Sequence, residues 1–330
     1  MNIKNLWAVA YATLLVGLIA APFLGAYPVF VMKLLCFALF AASFNLLLGF
    51  TGLLSFGHAA FLGGSAYVAG HAMKVWGLTP ELGLLAGTLT GALLGWLFGL
   101  LAIRRQGIYF AMITLALAQL VFFVALQAKF TGGEDGLQGV PRGKLLGLID
   151  LADDLSMYYF ALAVVVLAFL FIVRVIHSPF GQVLKGLKEN EPRAVSLGYD
   201  VSRFKLLAFV ISAALAGLAG SLKTLVLGFA TLSDVHWSTS GQVILMTLVG
   251  GLGTLSGPIV GSAVVVMLEN KVGELGMWLA QASSVDWFKT LGESTTMVTG
   301  LIFVLCVLAF RKGIVGSFVA FADRTCKKSP

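Results

Sequence analysis

The chain is 330 residues long, 59% hydrophobic and only 11% charged, against roughly 25% charged in an average soluble domain. This composition excludes a disordered chain and a water-soluble enzyme of ordinary make-up. The formal net charge of +7 is what Lys and Arg gathered on cytoplasmic loops during membrane insertion would give, so no nucleic-acid partner is expected. What remains is an all-α polytopic membrane protein whose partner surface includes membrane lipid. At about 20 residues per span, the length holds about 8–10 transmembrane helices, taken as a single transmembrane domain over residues 1–330.

In chain order, apolar runs extend over Leu6 to Phe23, Val29 to Leu48, Leu53 to Ala72, Leu82 to Ile103, Ile108 to Gln127, Met157 to Ile176, Phe204 to Leu227, Gly241 to Leu268 and Thr295 to Phe310. Lys4 followed by the first run resembles a secretory signal, but the run is long for a signal core and another follows at once, so it is taken as the first span. Arg104 and Arg105 make a short basic loop. The segment from Arg174 to Lys205 carries six basic residues against Glu189, Glu191 and Asp200, and the tail from Arg311 has five against Asp323. These three lie in the cytoplasm by the Lys/Arg rule, which makes the C-terminus cytoplasmic; the N-terminus is placed there too. Residues 128–156, with five acids against three bases, form an external loop.

The Gly241 to Leu268 run is long for one crossing and short for two. Its middle, Gly250-Gly-Leu-Gly-Thr-Leu-Ser-Gly-Pro258, breaks a helix. A similar break, Gly49-Phe-Thr-Gly-Leu-Leu-Ser-Phe-Gly57, interrupts the front half. Gly52-Leu-Leu-Ser55 matches Gly253-Thr-Leu-Ser256. The pair either marks an internal repeat flanking a central site or is a coincidence of composition.

Chemistry-bearing patterns are sparse. The sequence has no P-loop, no H-E-x-x-H and no clustered Cys and His, so it offers neither its own nucleotide site nor a metal site. Cys36, Cys306 and Cys326 are too scattered for a disulfide framework. Asp and Glu are absent from the middle of every run, with Glu269 at one end and Lys223 near another. That counts against an ion-coupled secondary carrier or channel acting alone, which stays as the alternative. A transporter lacking both sites needs an external engine.

The loop at residues 177–203 offers a docking surface for one. Ser178-Pro179 starts a short helix with Val183, Leu184 and Leu187 on one face. Asn190-Glu191-Pro192 starts a second, with Ala194, Val195 and Leu197, ended by Gly198. Lys185, Lys188, Glu189, Glu191 and Arg193 are placed on the exposed face. The plainer alternative is a solvated loop on the membrane surface.

Glu191-Pro-Arg-Ala194-Val-Ser-Leu-Gly198 is similar to the coupling-helix motif of bacterial ABC importer permeases. Thr51-Gly-Leu-Leu-Ser-Phe-Gly-His-Ala-Ala-Phe61, Gly107-Ile-Tyr-Phe-Ala-Met-Ile-Thr-Leu-Ala116, Thr131-Gly-Gly-Glu-Asp-Gly-Leu137, Ser178-Pro-Phe-Gly181 and Gly250 to Pro258 follow in the order expected of the LivM-type subunit of the branched-chain amino acid ABC permease family. The resemblance implies a bacterial inner-membrane importer subunit, not an enzyme, that pairs with a LivH-type second permease. It also implies two cytoplasmic ATPase subunits that bind ATP and Mg, so that no cofactor is held in this chain, and a periplasmic substrate-binding protein. Lys188, Glu189, Glu191, Arg193, Ala194, Gly198 and Tyr199 are then the coupling residues. Pro192 and Arg193 depart from the Ala often found in the broader motif.

Gly52, Ser55, Gly57 and His58 from the first break, and Gly253, Ser256 and Gly257 from the second, are the candidate pathway residues, because broken helices expose backbone groups to a zwitterion. Each has a plainer reading: Gly for close packing, Ser bonded to its own backbone, His58 as a core residue. Thr114 and Gln119, mid-span, are read as interhelical glue. The acidic Gly132-Gly-Glu-Asp-Gly136 turn faces either the binding protein or only solvent.

Overall fold

The computed structural model describes residues 13–25, 27–145, 147, 149–283, 300–301, 304 and 313–317. The first part of the Leu6 to Phe23 run, the Thr295 to Phe310 run, the basic tail, Cys306 and Cys326 lie wholly or largely outside the described residues. The opening helix, α1, covers residues 13–20. The helices that follow are α2 (Pro28–Thr51), α3 (His58–Lys74), α4 (Pro80–Ala102), α5 (Ile108–Gln127), α6 (Asp154–His177), α7 (Pro179–Glu189), α8 (Glu191–Ser196), α9 (Val201–Leu227), α10 (Trp237–Gly250) and α11 (Gly257–Ser283). A two-stranded ribbon in the loop after α5 pairs Lys144 with Asp150 and Leu145 with Ile149.

Local chemistry sets the helix ends. Pro28 and Pro80 occupy first-turn positions of α2 and α4, where a missing N–H costs nothing. Gly52, at φ +79°, ends α2, its N–H bonding Leu48 O at 3.2 Å while Leu53 N–H reaches Leu47 O at 3.4 Å. A left-handed residue is needed to turn the chain back over the last carbonyls in this way. Asp153 and Asp200 cap α6 and α9 through Ser156 N–H and Arg203 N–H, satisfying first-turn donors.

Among the described residues, five helices are long and apolar enough to cross a membrane: α2, α4, α5, α6 and α9. They sort into two layers. Of the most apolar window in each, 83% is buried in α2 and 67% in α9, against 28–33% in α4, α5 and α6. So α2 and α9, with the shorter α3, form the centre, and the other three present apolar side chains outward. Leu85, Leu89 and Leu93 on α4, Leu120 and Phe123 on α5, and Leu167 and Leu170 on α6 are all exposed. An outward apolar girdle of this kind, with backbone bonds satisfied inside helices, suits lipid rather than water. The chain is a multi-pass membrane protein.

The central packing rests on small residues. Gly87, Gly91, Gly95 and Gly99 recur every fourth residue along α4 and face α9; a Cβ at Gly91 would lie 2.6 Å from Ala213 O, and one at Gly95 2.3 Å from Ala213 Cβ. Without a hydrophobic force between lipid-bathed helices, backbone approach of this kind supplies the attraction.

The Gly241 to Leu268 run resolves into two helices, α10 and α11, separated by residues 251–256. The front half repeats the arrangement, with α2 and α3 separated by residues 52–57.

Candidate functional site

The segment between α6 and α9 folds as two short helices. Ser178 Oγ accepts Gly181 N–H at 3.3 Å and caps α7, and Asn190 Oδ1 accepts Arg193 N–H at 3.1 Å and caps α8. Leu184 and Leu187 bury one face against Ala194 and Ala208. Phe180 stacks on Phe204, with ring centroids 5.7 Å apart. Gly198, at φ +85°, turns the chain toward α9. The two-helix stub is therefore a packed unit. Its outer side is a groove of about 320 Å³ lined by Gln182, Val183, Glu189, Arg193, Leu197 and Tyr199, among others. Val195 and Leu197 project as apolar points, 58% and 68% exposed.

Of the charged residues expected on the exposed face, Glu191 turns partly inward, and Lys188 stays exposed but finds a partner on the protein. Glu191 Oε2 pairs with Lys205 Nζ at 2.7 Å, and its Oε1 accepts from Gln106 Nε2 at 2.9 Å. Lys205 is 5% exposed, so its charge needs that partner. Lys188 lies along the protein and donates from Nζ to Gly49 O at 2.7 Å. Gln106 lies 85 residues from Glu191 and Gly49 139 residues from Lys188, separations that helix periodicity does not record. Gln106 also sets the Arg104–Arg105 loop on the same side of the molecule as the stub.

Gly49 is where the two breaks meet. Asn45, one turn before it on α2, accepts Gly253 N–H on Oδ1 at 2.9 Å and donates from Nδ2 to Thr254 O at 2.8 Å. A Cβ at Gly49 would stand 2.8 Å from Gly253 N, so the backbones nearly touch. A chain of contacts thus runs from α7 through Lys188 to the end of α2, and through Asn45 to the turn between α10 and α11.

Of the candidate pathway residues, Ser55, Gly57, His58 and Gly257 are packed in this conformation. Ser55 Oγ accepts Gly57 N–H at 3.1 Å. In the second break Thr254 Oγ1, not Ser256, makes the matching bond to Gly257 N–H at 3.0 Å. Phe56 is pinned from both sides: its N–H bonds Thr114 Oγ1 at 3.1 Å, and its carbonyl accepts from Ser240 Oγ at 2.8 Å. His58 is fully buried, with Nε2 2.9 Å from Ser212 Oγ and the Phe44 and Phe61 rings edge-on to its own. Gly57, His58 and Gly257 are buried, Gly253 and Ser256 half-buried, and Gly52 open beside the Lys188 stem.

The opposite face is built from the 128–156 loop and the far ends of α3, α5 and α9. Leu137 and Ala230 exchange backbone bonds at 2.9 Å. Arg142 joins Asp154 at 2.6 Å and donates to Val226 O at 3.1 Å. Glu134 and Asp135 point to solvent. Beneath this loop lies a feature that reading the sequence missed, the buried ion pair of Lys223 with Asp234. The visible signal was a lone Lys inside an apolar run with an Asp just past its end. The signal for Asn45 was similar, a single amide in the Val29 to Leu48 run.

Comparison with known proteins agrees with this architecture. Residues 27–309 match the family described as branched-chain amino acid transport system / permease component. Among curated proteins, the high-affinity branched-chain amino acid transport system permease protein LivM of Salmonella typhimurium is 29% identical over 280 residues, covering 77% of this chain and 66% of the relative. LivM of Escherichia coli K12 is 30% identical over 251 residues, covering 68% and 58%. The ribose import permease protein RbsC of Bacillus subtilis is 27% identical over 262 residues, covering 75% and 73%. The matches thus span less than two thirds of the length of the two LivM proteins. No solved structure matches the chain.

Proposed function

This chain belongs to the branched-chain amino acid transport permease family, and from that premise we propose that it is one membrane subunit of an ATP-driven importer of branched-chain amino acids. A LivH-type permease completes the pathway, two ATPase subunits dock below, and a periplasmic binding protein delivers substrate above, with this subunit in the inner membrane. The stub faces the cytoplasm, and its groove, with Glu189, Arg193, Ala194, Leu197 and Tyr199, meets an ATPase, next to the Gly198 turn. ATP binding draws the ATPases together and moves the stub, and packed helices switch between two arrangements.

The observation that carries this reading is the Lys188 bond to Gly49 O. It ties the element that meets the motor to the end of a broken helix, and Asn45 ties that end to the second break. Movement of the stub therefore bears directly on the place where both halves of the chain close. The meeting of the two breaks acts as the cytoplasmic gate, and Gly52, Gly253 and their neighbours line the exit when it parts.

Docking is tested by a tagged pull-down from native membranes. Leu197→Glu puts a charge on an exposed apolar point without touching the Glu191–Lys205 pair. ATPase recovery is expected to fall at least tenfold while the second permease still co-purifies. Equal ATPase recovery would contradict docking at the stub.

A further inference from the structure

The ion pair at the far end of α9 has no part in the coupling path. Lys223 and Asp234 are 8% and 7% exposed, and Lys223 Nζ donates to Asp234 Oδ1. The other carboxylate oxygen accepts Thr231 N–H at 3.3 Å. The ammonium also lies over the Phe37 ring, 5.6 Å from its centroid. Replacing a buried pair by apolar residues of similar volume is often neutral or stabilising, so fold stability alone does not account for one. Lys223 lies on the membrane-spanning α9 and Asp234 in the turn that follows it, and an ionisable group kept within a membrane helix marks a binding or transport site by default.

A third buried polar group lies on the face of α3 that packs against the turn carrying Asp234. Tyr67 is 1% exposed, and its hydroxyl has no hydrogen-bond partner among the described residues. It sits on the α3 face between Gly63, where a Cβ would lie 2.9 Å from the Asp234 carbonyl carbon, and Gly70, where one would lie 3.2 Å from Thr224. A buried hydroxyl without a partner is costly. Three polar groups thus collect in an apolar wall of Phe37 and Val235, on the face opposite the stub.

We propose that Lys223, Asp234 and Tyr67 form an outward-facing subsite for the charged end of an α-amino acid, closed here by the ion pair itself. The entering zwitterion exchanges partners with the pair: its carboxylate accepts from Lys223 and its ammonium donates to Asp234, while the Tyr67 hydroxyl donates to the carboxylate. Charge is conserved, so neither group is left buried alone. The aliphatic side chain of the ligand lies against Phe37 and Val235. The ligand class rests on the import reading above, and the position, opposite the docking stub, is where a delivered amino acid would enter.

The test uses the whole complex in proteoliposomes, with radiolabelled leucine on its binding protein outside and ATP within. The variant is Lys223→Met combined with Asp234→Leu, which removes both charges and keeps the volume. ATPase stimulation by the loaded binding protein is expected to stay within twofold of wild type while leucine uptake falls at least tenfold. Uptake near wild type, or loss of ATPase stimulation together with uptake, overturns the subsite. If the double variant does not assemble, Tyr67→Phe decides: a loss of uptake of threefold or more supports the subsite, and unchanged uptake overturns it. A wild-type complex that takes up no leucine would instead sink the import reading, and so the two failures are distinguishable.

Discussion

Asn45→Leu is expected to leave ATP hydrolysis running while substrate uptake falls at least tenfold. The side chain fits the same space but loses both bonds, to Gly253 N–H and Thr254 O. Each abandoned backbone group costs about 1–3 kcal/mol when buried, and both are half-buried, so the closed meeting of the two breaks loses at most about 2–6 kcal/mol. A conformational equilibrium moves tenfold for about every 1.4 kcal/mol, which is enough to hold the gate partly open or misregistered through the cycle. Lys188→Met serves as companion. It keeps the stem that packs on Gly52 but leaves Gly49 O without its donor. Its effect should run in the same direction and be smaller, because one bond is lost rather than two. The check is the ratio of ATP hydrolysed to substrate moved, measured on one preparation. An unchanged ratio in Asn45→Leu would show that the clasp does not join the gate to the motor.

Gly220→Val is expected to destabilise the folded protein rather than to change its mechanism. A Cβ at Gly220 would lie 2.0 Å from Leu62 O and 2.8 Å from Leu62 C. The obstacle is backbone of α3, which cannot rotate aside as a side chain would. The two central helices would have to part by more than an ångström, at a cost of about 3 kcal/mol or more. Parting them also disturbs the Gly63 contact with Asp234 and Val235 on the same α3 face. At roughly 2–4 °C per kcal/mol, the thermal midpoint in mild detergent should drop by about ten degrees, with loss of the monodisperse peak. Gly186→Ala is the control, since a Cβ there meets nothing within 4 Å. A Gly220→Val protein as stable as the control would contradict the close α3–α9 approach.

The sequence revealed what is local and hid what is distant. The stub was legible because caps and apolar spacing act within a few residues: Ser178, Asn190 and Gly198 end helices by their own chemistry, and Leu184 and Leu187 mark the inner face. The breaks were legible for the same reason, since Gly52 and Gly253 take left-handed conformations whatever surrounds them. The charge pattern puts Lys188 on the exposed face, since a charge on a helix normally seeks water, and it is exposed. Its true partner, Gly49 O, is 139 residues away, and no periodicity records that. The Asn45 bonds span more than 200 residues. The repeat of Gly every fourth residue in α4 was visible but submerged in a run read only for its hydropathy. The Lys223–Asp234 pair needed the turn after α9 to fold Asp234 back against its own helix.

The most direct measurement is leucine uptake into proteoliposomes holding either this chain alone or the chain with its second permease, ATPases and binding protein. Uptake is expected only in the full assembly, only with hydrolysable ATP inside, and with no response to a proton or sodium gradient. Uptake by the chain alone, driven by an ion gradient and indifferent to ATP, would contradict this and make the protein a self-sufficient carrier.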